Sequence, residues 1–202
     1  MLEEQRHIVV GMGGLGREVA SYLLNSGLSD VVFSAEASFY EPFEWMGIGS
    51  QPLGDCQEGV VVLAIGDGAV RSRVASSLST GLRLGTFNFG SDRRSNVTLG
   101  EGSILCPGVQ VTVDVKLGKG VFVNLNCTIG HDSSLDDFVT LNPGVHVSGN
   151  CHLGEQCTIG TGAVIRDGVR ICPNTTVGMG AVVVKDIDEP GVYVGNPARK
   201  IK

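Results

Sequence analysis

From Leu99 to Val183 an aliphatic residue stands at every sixth position, fifteen in all and without an insertion. The series begins Leu99, Leu105, Val111, Leu117 and closes Ile165, Ile171, Val177, Val183. A six-residue period matches neither the helical 3.6 nor the two-residue alternation of a half-buried strand. It is the signature of a solenoid, in which short strands and turns wind into a parallel β-helix. Four residues after each of the first fourteen comes a second restricted site, holding only Ser, Val, Cys, Ala or Thr, as at Ser103, Val109, Cys127 and Ala163. The aliphatic side chain points inward onto its equivalent one coil away. The small one fills a corner where bulk would not fit. Three hexads make one triangular coil, so the array predicts five coils and a prism about 24 Å long at roughly 4.8 Å per stacked strand. Gly100, Gly118, Gly130, Gly154, Gly160 and Gly178 each follow an inward residue and account for many of the 30 glycines.

The chain as a whole suits a well-packed globular protein. Its 202 residues hold one large domain or two small ones, and 42% hydrophobic against 18% charged residues exclude a disordered chain. No stretch is long and apolar enough to span a bilayer, and the opening MLEEQRH lacks the charge and apolar run of a secretion signal. A net charge of −6 argues against nucleic-acid binding, which needs a basic footprint. The six cysteines fall into place on the hexad grid: Cys127, Cys151 and Cys157 take the small corner site, and Cys106 and Cys172 follow inward residues. Cys56 lies outside the solenoid. With no CxxC spacing they read as small packing residues, and a cytoplasmic, reducing setting is the expectation.

Upstream the six-residue period vanishes. His7-Ile8-Val9-Val10 reads as a buried strand, Arg17 to Asn25 as a helix, Val31-Val32-Phe33 as a second strand and Val60 to Ile65 as a third. A helix from Ala69 to Leu78 and a short strand within Leu84 to Phe89 follow, then a linker GSDRRSN over Gly90 to Asn96. Strands alternating with helices imply a small Rossmann-like parallel α/β domain over residues 1–95. The β-helix and a C-terminal tail then occupy 96–202.

Gly11-x-Gly13-x-x-Gly16 follows a strand and opens a helix, the setting a phosphate-cradling loop requires. Glycines such as Gly11, Gly13 and Gly14 let backbone N–H groups approach a diphosphate, and the helix start adds a positive dipole end. Glu36, twenty residues past Gly16, is placed to meet a ribose hydroxyl or a base. Asp67 follows the third strand, and Arg17 and Arg71 could offset phosphate charge. Fewer than 100 residues make half a dinucleotide fold, so a single nucleoside diphosphate suits the domain better than NAD. Tight packing of helix on strand would also explain the glycines.

GMGGLGREVA, AIGDGAVR, IGHDSSLDDFVTLNPGVHVSGNCHLGEQCTIGTGAVI and the closing GVYVGNPARKI, in that order, resemble the hexapeptide-repeat sugar acyltransferases. The similar branch comprises the sialic-acid O-acetyltransferases and the enzymes that N-acetylate nucleotide-linked amino sugars for bacterial glycans. The resemblance implies a left-handed β-helix, a homotrimer with active sites between subunits, acetyl-CoA as donor, and an N-terminal domain that holds the sugar nucleotide.

It also places the family's catalytic histidine at His131, in IGHD. The chemistry asks for such a group: an amine or hydroxyl attacking a thioester must shed a proton, and imidazole, with an ordinary pKa of about 6.5, is a suitable base. His131 lies two residues past inward Ile129, so it should project from the prism, with Asp132 to orient or polarise the ring. Two departures stand out. Many relatives carry a second histidine nine residues on, where this chain has Thr140, and a His-Pro pair before the solenoid, where it reads Asn88-Phe89-Gly90-Ser91. The resemblance puts CoA along the C-terminal coils, making Thr140, Gly149, Thr161 and Gly180 candidate contacts, with Lys185 near the CoA phosphates. Asn196-Pro197-Ala198-Arg199 matches the family's closing motif. His131, His146 and His152 do not share one phase of the repeat, so no metal site is expected.

The reading is therefore acetyl-CoA-dependent N-acetylation of a nucleotide-linked amino sugar, by direct transfer with no acyl-enzyme, since no cysteine or serine sits in an activated motif. O-acetylation of a sugar of the sialic-acid type is the enzymatic alternative. A non-catalytic trimeric nucleotide-binding scaffold is the other.

Overall fold

The computed structural model describes residues 5–93 and 95–202. Met1 to Glu4 of the opening segment, and Arg94 of the GSDRRSN segment, lie outside them. The chain divides into two compact units: one of residues up to Gly66 together with Val70–Gly85, the other of Asp67–Ala69 and Thr86–Lys202.

The first unit is an all-parallel five-stranded sheet of β1 (His7–Val10), β2 (Val31–Ala35), β3 (Ser50–Pro52), β4 (Gly59–Leu63) and β5 (Leu82–Leu84), in the order β3-β2-β1-β4-β5. Ile8 and Val9 of β1, and Val61 and Val62 of β4, are wholly buried whichever way they point. Central parallel strands covered on both faces need such unbroken apolar runs. Helix α1 (Gly14–Asn25) buries Gly16, Val19, Ala20 and Leu23, a stripe at helical spacing. It ends at Ser26, where Gly27 takes a φ of +84°. Helix α2 (Gly68–Ser76) follows β4. Both helices start earlier than the apolar pattern suggests, with Gly14 and Gly68 as their first residues. Strand β3 has no counterpart in the sequence reading. It is a short Ser-Gln-Pro edge, half-exposed, that pairs only with β2 and carries no apolar alternation.

The second unit is the solenoid. Its two-residue strands stack in three parallel sheets, and paired residues stand 18 apart, as Gln110 with Thr128 and Thr128 with His146. Three hexads therefore close one coil. Leu105, Val123, Ile129, Leu141, Leu153, Ile159 and Ile165 are completely buried along the axis. Each such side chain contributes about 1.5–3 kcal/mol. Cys127, Cys157 and Ala163 fill the corners with no exposed surface.

The solenoid begins earlier than residue 96. Phe87–Asn88 and Asp92–Arg93 already pair as the first strands of two of its sheets. The segment expected as one strand over Leu84 to Phe89 is thus divided, with Leu82–Leu84 in the first unit's sheet and Phe87–Asn88 in the solenoid. The GSDRRSN stretch is partly strand rather than linker. At the other end Val192–Val194 adds to the third sheet, and Arg199–Lys200 folds back on it antiparallel around a cis Asn196–Pro197 bond. The closing motif is a short hairpin that covers the final edge of the stack.

Most glycines of the solenoid belong to two classes. Those after inward residues are required by space: a Cβ on Gly130 would stand 2.5 Å from the backbone of Gly149 and Ser148 on the next coil. A second class, three residues past each inward position, is required by conformation. Asn126, Asp132 and Asn150 there have φ of 56°, 59° and 53°, and Gly144 and Gly180 share the same left-handed turn.

Candidate active site

In the first unit the chain runs outward from β1 through β2 to β3, then returns to place β4 on the other side of β1. That reversal is the position where open parallel sheets receive ligands, beyond the carboxyl ends of the two diverging strands. Gly11-to-Gly16 leaves β1 there, and Ala64-to-Gly66 leaves β4. The two loops touch closely: a Cβ on Gly11, whose φ is +125°, would stand 2.4 Å from the carbonyl oxygen of Ala64. Gly16 is equally confined, since a Cβ would lie 1.8 Å from the carbonyl oxygen of Gly11. These two glycines hold the turn together. Gly13 and Gly14 are different: both are exposed, and the space around each is open to 4 Å. Gly13 is the residue before α1, with no side-chain cap, and Gly14 opens the helix, so the free N–H groups of its first turn lie beside that space.

The other candidates upstream of residue 96 separate. Asp67 is exposed in the loop after β4. Glu36 stands at the carboxyl end of β2, half-buried, with Oε2 2.8 Å from Arg73 Nη2. It lines a cleft of about 450 Å³ shared with Gly54, Gln57, Ser77 and Ser79. Arg71, expected to face a phosphate, is instead only 1% exposed. Its Nη1 donates to the carbonyls of Ile65 and Gly66 at 2.9 and 3.0 Å. A buried guanidinium needs partners for its N–H groups, and here it fixes the loop after β4. Its role is to position that loop.

On the solenoid, His131 projects from the turn after the strand Thr128–Ile129, its side chain 55% exposed. Its Nδ1 lies 2.8 Å from Asp132 Oδ2. Asp132 can turn back onto its neighbour because it occupies one of the left-handed positions. The carboxylate fixes the ring and favours the tautomer with the proton on Nδ1, leaving Nε2 with a lone pair. Nε2 lies over Gly149 on the next coil, 2.6 Å from the point that a Cβ would take. Gly149 is therefore a gap made for an imidazole.

The remaining solenoid candidates do not gather around that ring. Thr140 is 1% exposed, on the sheet of Phe122 and Thr158, so its hydroxyl is not an open contact for a donor. Thr161 and Gly180 meet each other at a different corner, Gly180 N–H donating to the Thr161 carbonyl at 2.9 Å, both exposed. Lys185 is exposed two residues beyond Val182–Val183, on the edge that also carries His131 and Gly149. His146 Nδ1 pairs with Thr128 Oγ1 at 2.9 Å. His152 pairs with Ser134 Oγ at 2.9 Å and lies 3.4 Å from Asp136 Oδ2. Each thus has its own partners apart from His131. Burial pushes the thiols of Cys127 and Cys157 up to about 11 and raises that of Cys151 too, which keeps them protonated and weakly nucleophilic.

One residue at the site was missed in the sequence. Asp167 Oδ1 is 3.0 Å from the same Gly149 point that His131 Nε2 approaches. Its signal was the 18-residue phase rather than the hexad: His131, Gly149 and Asp167 each stand two residues past successive strands of one sheet.

Residues 150–185 match the family model for bacterial transferase hexapeptide repeats (six repeats). Solved structures are similar over almost the whole chain. WeeI from Acinetobacter baumannii AYE is 30% identical, with a TM-score of 0.90 over 97% of this chain and 99% of that one. The acetyltransferase domain of PglB from Neisseria gonorrhoeae FA1090, in complex with acetyl coenzyme A, is 29% identical, with a TM-score of 0.87 over 98% and 99%. A mutant perosamine N-acetyltransferase from Caulobacter crescentus, in complex with CoA and GDP-perosamine, is 25% identical, with a TM-score of 0.89 over 98% and 97%.

Proposed function

The chain belongs to the hexapeptide-repeat sugar acetyltransferases, and on that premise we propose that it moves the acetyl group of acetyl-CoA to the amine of a nucleotide-linked sugar. The observation that carries the reading is the His131–Asp132 pair, with Nδ1 engaged by the carboxylate and Nε2 placed over Gly149. Solved relatives with acetyl coenzyme A, and with CoA and GDP-perosamine, support the two substrates. The open space beside Gly13 and Gly14 supports a diphosphate subsite in the first unit.

The reaction is direct. The acceptor nitrogen, once neutral, attacks the thioester carbonyl. The N–C bond forms, the C–S bond breaks, and an N–H proton passes to His131 Nε2 and from there to the departing thiolate. Asp132 stabilises the imidazolium that exists in between. The products are the amide and free CoA thiol. Burial keeps the Cys127 and Cys157 thiols protonated, which supports direct transfer with both substrates bound together.

Acetyl-CoA binding is measured first, and acetyl-CoA is then supplied with UDP-, dTDP- and GDP-amino sugars and with hydroxyl sugars of the sialic-acid type, with release of free thiol followed. Turnover of one of the amino sugars is the expected result. Turnover of only the hydroxyl sugars would reassign the chain to O-acetylation, and the absence of acetyl-CoA binding would leave a scaffold.

The enzyme is further proposed to be a homotrimer acting in the cytoplasm. Gly13→Val separates the nucleotide subsite from the rest. A Cβ built there meets nothing within 4 Å beyond its chain neighbours, and the position is exposed, so the fold should tolerate the substitution. It would occupy the space the diphosphate needs, and sugar-nucleotide affinity should fall roughly tenfold or more, as charge-assisted hydrogen bonds are lost. Acetyl-CoA affinity and trimer sedimentation should be unchanged. Equal loss of both ligands would make the turn purely structural.

A further inference from the structure

We infer that Asp167 is the residue that receives the acceptor's amine, and so sets the enzyme's preference for nitrogen over oxygen. The inference rests on the acetyltransferase reading above. Gly149 leaves no side chain between the imidazole and the Asp167 carboxylate: one point lies 2.6 Å from His131 Nε2 and 3.0 Å from Asp167 Oδ1. The carboxylate is exposed and lightly held. Asn150 Nδ2 reaches Oδ1 at 3.5 Å, a long contact, and no ion pair among the described residues involves Asp167. Asp132 is committed to Nδ1, on the other side of the ring. The imidazole therefore stands between two carboxylates of different duty, one orienting it and one facing the region its lone pair addresses.

That asymmetry matters for the nucleophile. An amino sugar arrives largely as an ammonium ion, which a carboxylate attracts and a neutral hydroxyl cannot imitate. One proton leaves to solvent, and the remaining amine attacks as described above. As the N–C bond forms the nitrogen becomes positive again until its second proton reaches Nε2. Asp167 faces positive charge at both stages. A hydroxyl acceptor loses its only proton as it attacks and would gain less. Its oxygen carries negative charge if the proton leaves early, which a nearby carboxylate disfavours. No bond to Asp167 forms or breaks.

The test compares wild type with Asp167→Asn and Asp167→Glu at saturating acetyl-CoA. The acceptors are the amino sugar nucleotide that the wild type turns over and the same nucleotide sugar with a hydroxyl in place of the amine. Asp167→Asn should raise KM for the amine about tenfold, the scale of one charge-assisted hydrogen bond. Hydroxyl turnover should hold or rise, acetyl-CoA affinity should hold, and Asp167→Glu should recover part of the amine preference. Equal loss with both acceptors, or no change with either, would overturn the inference while leaving the acetyltransferase standing. A wild type that acetylates no amine sinks the underlying reading, a result visible before any variant is made.

Discussion

Replacing His131 with alanine should lower turnover about 10²- to 10⁴-fold, the usual contribution of a positioned general base, while leaving acetyl-CoA affinity near that of the wild type. The effect should fall on kcat, because the imidazole acts on a proton that is in flight only in the transition state. Folding should not suffer, since the ring is more than half exposed and its pairing is with the adjacent Asp132. His146→Ala and His152→Ala are the matched controls. Each ring is held by other residues, Thr128 for one and Ser134 with Asp136 for the other, and neither lies over Gly149. Their turnover should stay within a few-fold of wild type. If His131→Ala keeps near-full turnover under conditions where chemistry limits the rate, the proton leaves by another route and Asp132 is the next group to test.

How far the chain could be read in advance depended on which rule each residue obeys. The inward positions follow one physical demand, stacking of aliphatic side chains along an axis, so Leu105, Ile129 and Ile159 announced the solenoid at a fixed period. The left-handed turns at Asn126, Asp132 and Asn150 obey an equally strict rule. They are filled by Gly, Asn, Asp and even Phe138, and such varied residues hide a conformational requirement that only backbone angles expose. Strand β3 was invisible for the opposite reason. Its pairing with β2 is made by the backbone and by Ser34 Oγ donating to the Gln51 carbonyl at 2.9 Å, and Ser-Gln-Pro carries no apolar pattern.

The site was legible to the extent that it is local in sequence. His131 and Asp132 are neighbours, and the glycine turn after β1 is contiguous. Arg71 was misjudged because a guanidinium near a phosphate loop and one buried beneath it leave the same letter in the sequence. Only the hydrogen bonds to Ile65 and Gly66 distinguish them. Thr140 was placed by its distance from His131 along the chain, yet three sheets share that stretch, and its own sheet buries it. Asp167 lay two coils beyond His131, a relation that becomes visible only when the hexads are wound in threes.

Gly149→Ala should cost nearly as much as losing the His131 imidazole, although the substitution adds one methyl group to a residue with no acid–base chemistry. The new Cβ would stand 2.6 Å from His131 Nε2 and 2.7 Å from Cε1, closer than such atoms come in folded proteins. The backbone of the coil is held by ladder bonds on both sides, Asn150 N–H to the His131 carbonyl at 2.8 Å and Gly168 N–H to the Gly149 carbonyl at 3.0 Å. The ring is the movable partner, so it must swing away and give up its alignment with Asp132 and with the acceptor. Displacements of about 1 Å at a reacting group can cost roughly 10²-fold in rate, and a loss of that size is expected in kcat. Thermal stability should change little, because the strain is relieved toward solvent. The double variant decides whether the loss travels through the imidazole. In a His131→Ala background the methyl group has no ring to displace, so Gly149→Ala should add almost nothing, the non-additivity expected of two changes that act on one group. If it lowers the residual rate by the same factor as in the wild type, the methyl group is obstructing a substrate instead. The space over Gly149 would then belong to the donor or acceptor rather than to the base.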